Sequence, residues 1–131
     1  MTHRTLVLSL FFGLGLAAMA QQAPAHTGGP YLEIDKMIHD HGTLKKGANG
    51  DAFFTITNTG DQPLHITRCE SNCGCTVAQC PDQPIPPGAS YRMKVHYDTE
   101  RTGRINHAVT VFTNATNARQ MQVLLQGMVK E

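Results

Sequence analysis

Ser90-Tyr91-Arg92-Met93-Lys94-Val95-His96-Tyr97-Asp98 is the most regular stretch of the chain. Tyr91, Met93, Val95 and Tyr97 fall on one side, and Arg92, Lys94 and His96 on the other. A period of two marks a strand with one face on a core and one in water. Upstream, Pro81, Pro84, Pro86 and Pro87 keep residues 81–89 extended and non-helical, and Pro87-Gly88 makes a tight turn of type II.

Working outward, Asp51-Ala52-Phe53-Phe54-Thr55-Ile56-Thr57-Asn58 repeats the pattern, with Ala52, Phe54 and Ile56 on one face. Asn58-Thr59-Gly60-Asp61 is turn chemistry: Gly60 tolerates positive φ, while Asn58 and Asp61 can bond nearby backbone. In residues 63–69, Leu64, Ile66 and Arg68 alternate with His65, Thr67 and Cys69. Residues 31–34 and 37–44 read as two earlier strands, and the polar segment 45–50 comes after them. Ile105, His107, Val109 and Val111 share a face of another strand, as do Met121, Val123 and Leu125 of the last. No window beyond the N-terminus carries a helical apolar period. About seven short strands separated by turns predict an all-β fold, a sandwich over residues 31–131.

The first residues have a different purpose. A basic start with His3 and Arg4 precedes an apolar run over residues 6–16, and Ala18-Met19-Ala20 is a small-x-small cleavage site. This predicts a signal peptide over residues 1–20, because the run is shorter than the roughly 20 apolar residues of a membrane span. Residues 21–30, rich in Ala, Gly, Pro and Gln, read as a flexible leader. Cleavage removes Arg4 and leaves ten basic against ten acidic side chains. No basic stripe points to nucleic acid, and no polybasic patch or second apolar run points to the membrane after cleavage. The expected location is periplasmic or secreted.

The order of the pieces resembles a bacterial exported family, domain of unknown function 1573. The residues that carry the likeness are His39-Asp40-His41-Gly42-Thr43-Leu44, Asn58-Thr59-Gly60, Pro63-Leu64-His65-Ile66, Asn72-Cys73-Gly74-Cys75-Thr76, Ile85-Pro86-Pro87-Gly88 and Val95-His96-Tyr97-Asp98. The resemblance implies an immunoglobulin-like sandwich similar to Hydin and major-sperm-protein domains, and no activity. The chain departs from the pattern in three places. Asn72 replaces Ser, His39 and His41 stand where aromatics are usual, and Cys69 and Cys80 occupy usually apolar positions.

All four cysteines lie in residues 69–80. In an exported domain thiols pair by default. Four cysteines allow three complete pairings. If Cys69 and Cys80 face each other across positions that are apolar in the family, their bridge closes a short loop and contributes about 2–3 kcal/mol. Cys73 and Cys75 would then form a small ring, more reducible than an ordinary bridge, with Gly74 easing the backbone. Cross-pairing, such as Cys69 with Cys75 and Cys73 with Cys80, stays open.

Three functions fit these residues. In the first, the chain is not an enzyme and needs no cofactor: it is a structural or protein-binding module at the cell envelope, with a stapled Cys loop. In the second, Cys73 and Cys75 bind copper or zinc, joined by His39, His41 and Met37, which alternate on one strand face. Structural histidines on an edge strand are the plainer reading of His39 and His41. In the third, Cys73 and Cys75 exchange disulfides. That chemistry wants a nearby cation, and Arg68 is the only one close in sequence.

Overall fold

The computed structural model describes residues 24–131, so the expected signal peptide and the start of the leader lie outside the described residues. Eight strands form two four-stranded sheets. They are β1 (Leu32–Ile34), β2 (Ile38–Lys45), β3 (Asp51–Asn58), β4 (Ile66–Ser71), β5 (Thr76–Ala78), β6 (Ser90–Tyr97), β7 (Gly103–Thr113) and β8 (Gln120–Lys130). One sheet has the order β1-β3-β6-β5 and the other β2-β8-β7-β4. All named pairs are antiparallel except β2 with β8, which run parallel.

The alternating faces meet in the core. Ala52, Phe54, Ile56, Met93, Val95, Val109, Val111, Val123 and Leu125 are each 0% exposed. Their number and size make apolar burial the main stabilising contribution, at about 25 cal/mol per Å² removed from water. The strand beyond the expected seven is β5, three residues inside the cysteine connection that pair with the end of β6. Residues 63–69 also differ from the expected single strand: Leu64 makes an isolated bridge to Ile85, and β4 runs on to Ser71.

A bulge reverses part of the expected alternation. Between Ile66 and Arg68, β4 carries one residue more than β7. A bulge of one residue swaps the two faces of the strand beyond it. Arg68 therefore points to solvent, its guanidinium 4.0 Å from the Phe112 ring centre, while Cys69 packs against the core. A second bulge lies between Asp40 and Thr43 in β2, where Gly42 takes φ +65°.

The described part of the leader is tied down rather than free. The His26 N–H donates to the Thr59 carbonyl at 3.0 Å, and the His26 ring stacks on Tyr31 with centres 3.5 Å apart. Gly28 and Gly29 N–H groups donate to the Asp61 carboxylate at 3.0 and 2.8 Å, which holds its pKa below the ordinary value. Gly60 needs no positive φ. A Cβ there would collide with the Gly29 carbonyl and the Tyr31 nitrogen, so the residue is small because two backbone segments cross.

Candidate functional site

The cysteine connection crosses from one sheet to the other, since β4 and β5 belong to different sheets. Cys69 and Cys80 are disulfide-bonded with Cα atoms 6.3 Å apart, so the bridge joins the two ends of the crossing. Cys73 and Cys75 form the second disulfide, Cα atoms 5.2 Å apart. Of the pairings open in the sequence, the nested one is present.

Cys73-Gly74-Cys75-Thr76 is a turn closed by the Thr76 N–H donating to the Cys73 carbonyl at 3.2 Å. The Ser71 hydroxyl lies 2.9 Å from the Cys73 carbonyl and 2.7 Å from that of Thr76, bracing the turn from β4. From the other sheet, the Asp98 N–H donates to the Cys75 carbonyl at 2.8 Å. Gly74 has no positive φ, and a Cβ there would meet nothing within 4 Å. Its role is therefore not to relieve backbone strain; it leaves the turn uncovered.

Two residues remote in sequence complete the site. His107, on β7, places Nε2 3.8 Å from Cys75 Sγ and stacks on Tyr97 of β6 with ring centres 5.4 Å apart. Arg101 donates from its guanidinium to Cys73 Sγ at 3.2 Å. Asp98 aims it, accepting the Glu100 N–H on its carboxylate at 3.0 Å and the Arg101 N–H on its carbonyl at 3.3 Å. The Cys75 N–H also donates to Cys73 Sγ, at 3.1 Å. Cys73 is half-buried and Cys75 is 6% exposed. The ligand atoms of Cys73, Cys75 and His107 all lie within 4.8 Å of one another. Arg68, the nearest cation in sequence, pairs instead with Glu70 at 3.2 Å.

His39, His41 and Met37 are not brought to this site. β2 and β4 are opposite edges of one sheet, with β8 and β7 between them. Met37 stands before β2 and is 45% exposed. The His39 and His41 rings are 4.6 Å apart, edge to face, and His39 lies 6.4 Å from the Phe54 ring, so both take up an aromatic's place. Burial lowers both pKa values; Lys36 adds to this for His39, and the neighbouring His39 for His41. The Lys36 ammonium lies 2.9 Å from His39 Nδ1, and since an ammonium only donates, that nitrogen is the acceptor of the contact. His41 Nε2 is buried with no hydrogen-bond partner among the described residues.

His107 and Arg101 carried no local signal: they stand 32 and 28 positions from the sulfurs they approach.

Comparison with solved structures shows the fold. A protein of unknown function from Porphyromonas gingivalis W83 superposes with a TM-score of 0.67 at 21% identity, covering 85% of this chain and 51% of that one. The chain thus spans about half the length of that relative. The PapD-like domain 7 of human CEP192 gives 0.63 at 10% identity, covering 99% and 95%. The E. coli chaperone DraB gives 0.52 at 10%, covering 80% and 57%. At these identities the likeness shows a PapD-like, immunoglobulin-type sandwich and nothing about activity. No curated protein matches the sequence. The model of one family, described as protein of unknown function (DUF1573), matches residues 32–129, and the chain belongs to that family.

Proposed function

We propose that this protein is an exported, non-enzymatic module that binds another protein at the cell envelope, with the doubly bridged Cys loop as its rigid contact element. The observation that carries this reading is the edge formed by β5. Among the described residues it is an outer strand, paired with β6 alone, and Val77 at its centre is 57% exposed. An exposed apolar side chain on a short outer strand is a contact point for a partner, and because the Thr76 N–H and carbonyl are already taken by Cys73 and Ser71, the contact is made by side chains and not by an added strand. Here it is braced on both sides, by Cys69–Cys80 and by the Cys73–Cys75 turn, so little conformational entropy is lost on docking. Two disulfides in so short a segment suit an oxidising compartment.

A photo-crosslinker at Val77 tests this in cells exporting the chain. The expected result is one discrete adduct, absent when the crosslinker replaces Glu33 on the opposite edge strand and competed away by the unlabelled chain but not by its Val77→Asp variant. Equal adducts at both positions, or none, overturn it.

The cluster of Cys73, Cys75 and His107 supports a second reading, soft-metal binding once the Cys73–Cys75 bond is reduced. Two thiolates and an imidazole suit copper(I) or zinc. Titration of the reduced chain with either metal should show one site lost in His107→Ala and kept in the His39→Ala, His41→Ala double variant. The converse would return the site to β2.

A further inference from the structure

We propose that Cys73–Cys75 is a redox-active disulfide, exchanging with a dithiol partner, in which Cys73 is the attacked sulfur, Arg101 steadies its thiolate, and His107 stands beside the departing Cys75. This does not rest on the β5 edge reading. The cation missing near these cysteines in sequence is supplied by the fold from another loop.

The two sulfurs have different surroundings. Cys73 Sγ is half-buried and receives two N–H donors, the Arg101 guanidinium at 3.2 Å and the Cys75 amide at 3.1 Å. Both are placed to stabilise negative charge on that sulfur when the bond opens. Cys75 Sγ is nearly covered and faces His107 Nε2 at 3.8 Å. Access therefore selects Cys73 for attack, and Gly74 leaves open space beside it. Cys69–Cys80 has no comparable surroundings. Its two residues are half-buried, as Cys73 is, but no side-chain hydrogen bond reaches either sulfur among the described residues.

The exchange balances. One thiolate of the partner attacks Cys73 Sγ; the Cys73–Cys75 bond breaks, and its electron pair leaves on Cys75 Sγ, which lies 3.8 Å from His107 Nε2 and takes a proton from solvent. The partner's second thiol gives up its proton and attacks its own sulfur in the mixed disulfide, releasing Cys73 as a thiolate beside Arg101. The partner loses two electrons and becomes a disulfide, Cys73 and Cys75 gain them, and no further oxidant is consumed.

The test is equilibration of the purified full chain in dithiothreitol redox buffers, with acid quench, alkylation and peptide mapping to read each cysteine pair separately. Cys73–Cys75 is expected to open at dithiol levels that leave Cys69–Cys80 closed and the melting temperature near its starting value. Arg101→Gln should shift the midpoint toward harder reduction by about three- to tenfold, Arg101→Lys should restore much of it, and Arg68→Gln should leave it in place. Opening of both bridges together, or a midpoint unmoved by Arg101→Gln, overturns the proposal. Arg101 is exposed, so loss of the effect through misfolding is checked by the same melting curve.

Discussion

The two ends of β3 and β6 use polar groups in opposite ways. At one end Asn58 is wholly buried, and every hydrogen-bonding position of its amide is filled. Its Nδ2 donates to the carbonyls of Gln62 at 2.7 Å and Ile85 at 2.9 Å, and its Oδ1 accepts from the N–H of Gly60 at 3.0 Å and Tyr31 at 3.3 Å. At the other end the Cys73–Cys75 turn is open to solvent, and Arg101 and His107 stand around its sulfurs. A saturated buried amide fixes three chain segments and has nothing left to offer. A disulfide with one covered and one half-buried sulfur, flanked by an imidazole and a guanidinium, packs on the core through Cys75 and stays accessible at Cys73. Structure is concentrated at the first end and chemistry at the second.

Removing Asn58 should give the largest effect. Asn58→Ala leaves two N–H groups and two carbonyls without their partner, and should cost about 3 kcal/mol or more, read as a lower melting temperature. Cys73–Cys75 reactivity below the new transition should not change. If the variant also loosens that disulfide, the ends are coupled and the comparison fails.

The two bridges sharpen the contrast. Cys69→Ala with Cys80→Ala should destabilise by about 2–3 kcal/mol, because eleven positions separate the cysteines and the sheets lose their tie. Cys73→Ser with Cys75→Ser should cost roughly half as much or less, since the loop removed is far shorter. Denaturant unfolding of both variants decides it; the reverse order would make Cys73–Cys75 the structural bridge.

The sequence made one of these ends far more legible than the other. Asn58-Thr59-Gly60-Asp61 announces a turn through local chemistry, and all its contacts with its own segment come from that. What it hides is long-range: Ile85 on the amide, and Gly29 across Gly60. The strands were legible because alternation is a local property. β5 was not, because three residues cannot show a period. The face of Cys69 was misassigned through Arg68 because the bulge at Thr67 leaves no mark in composition. The reactive end was half visible: Cys-Gly-Cys stands out, but Arg101 and His107 reach it only through a loop and a strand pairing.

An intermediate effect comes from β2. His39 and His41 have pKa values held below 6.5, so the unfolded chain binds more protons between the folded values and 6.5. Stability should therefore be full above about pH 6.5 and decline as the pH falls through the lowered folded values. The melting temperature of the wild type should drop over that window, and a His39→Phe, His41→Phe variant should drop less. Equal slopes would place the acid sensitivity elsewhere.

Two glycines have opposite roles, and the second gives the smallest effect. Gly60→Ala drives a methyl into the Gly29 carbonyl, with backbone on both sides and no flexible side chain to yield, so a loss of about 1–3 kcal/mol is expected. Gly74→Ala meets nothing and needs no left-handed backbone, so its stability should stay within about 0.5 kcal/mol of the wild type. A glycine the fold does not require, set between two cysteines, is explained by access. If Gly74→Ala melts normally, larger side chains such as Gly74→Leu should slow dithiol attack on Cys73 while leaving the redox midpoint near that of the wild type. A slowed rate with an unmoved midpoint separates shielding of the sulfur from a change in its electrostatics, which is the part assigned to Arg101.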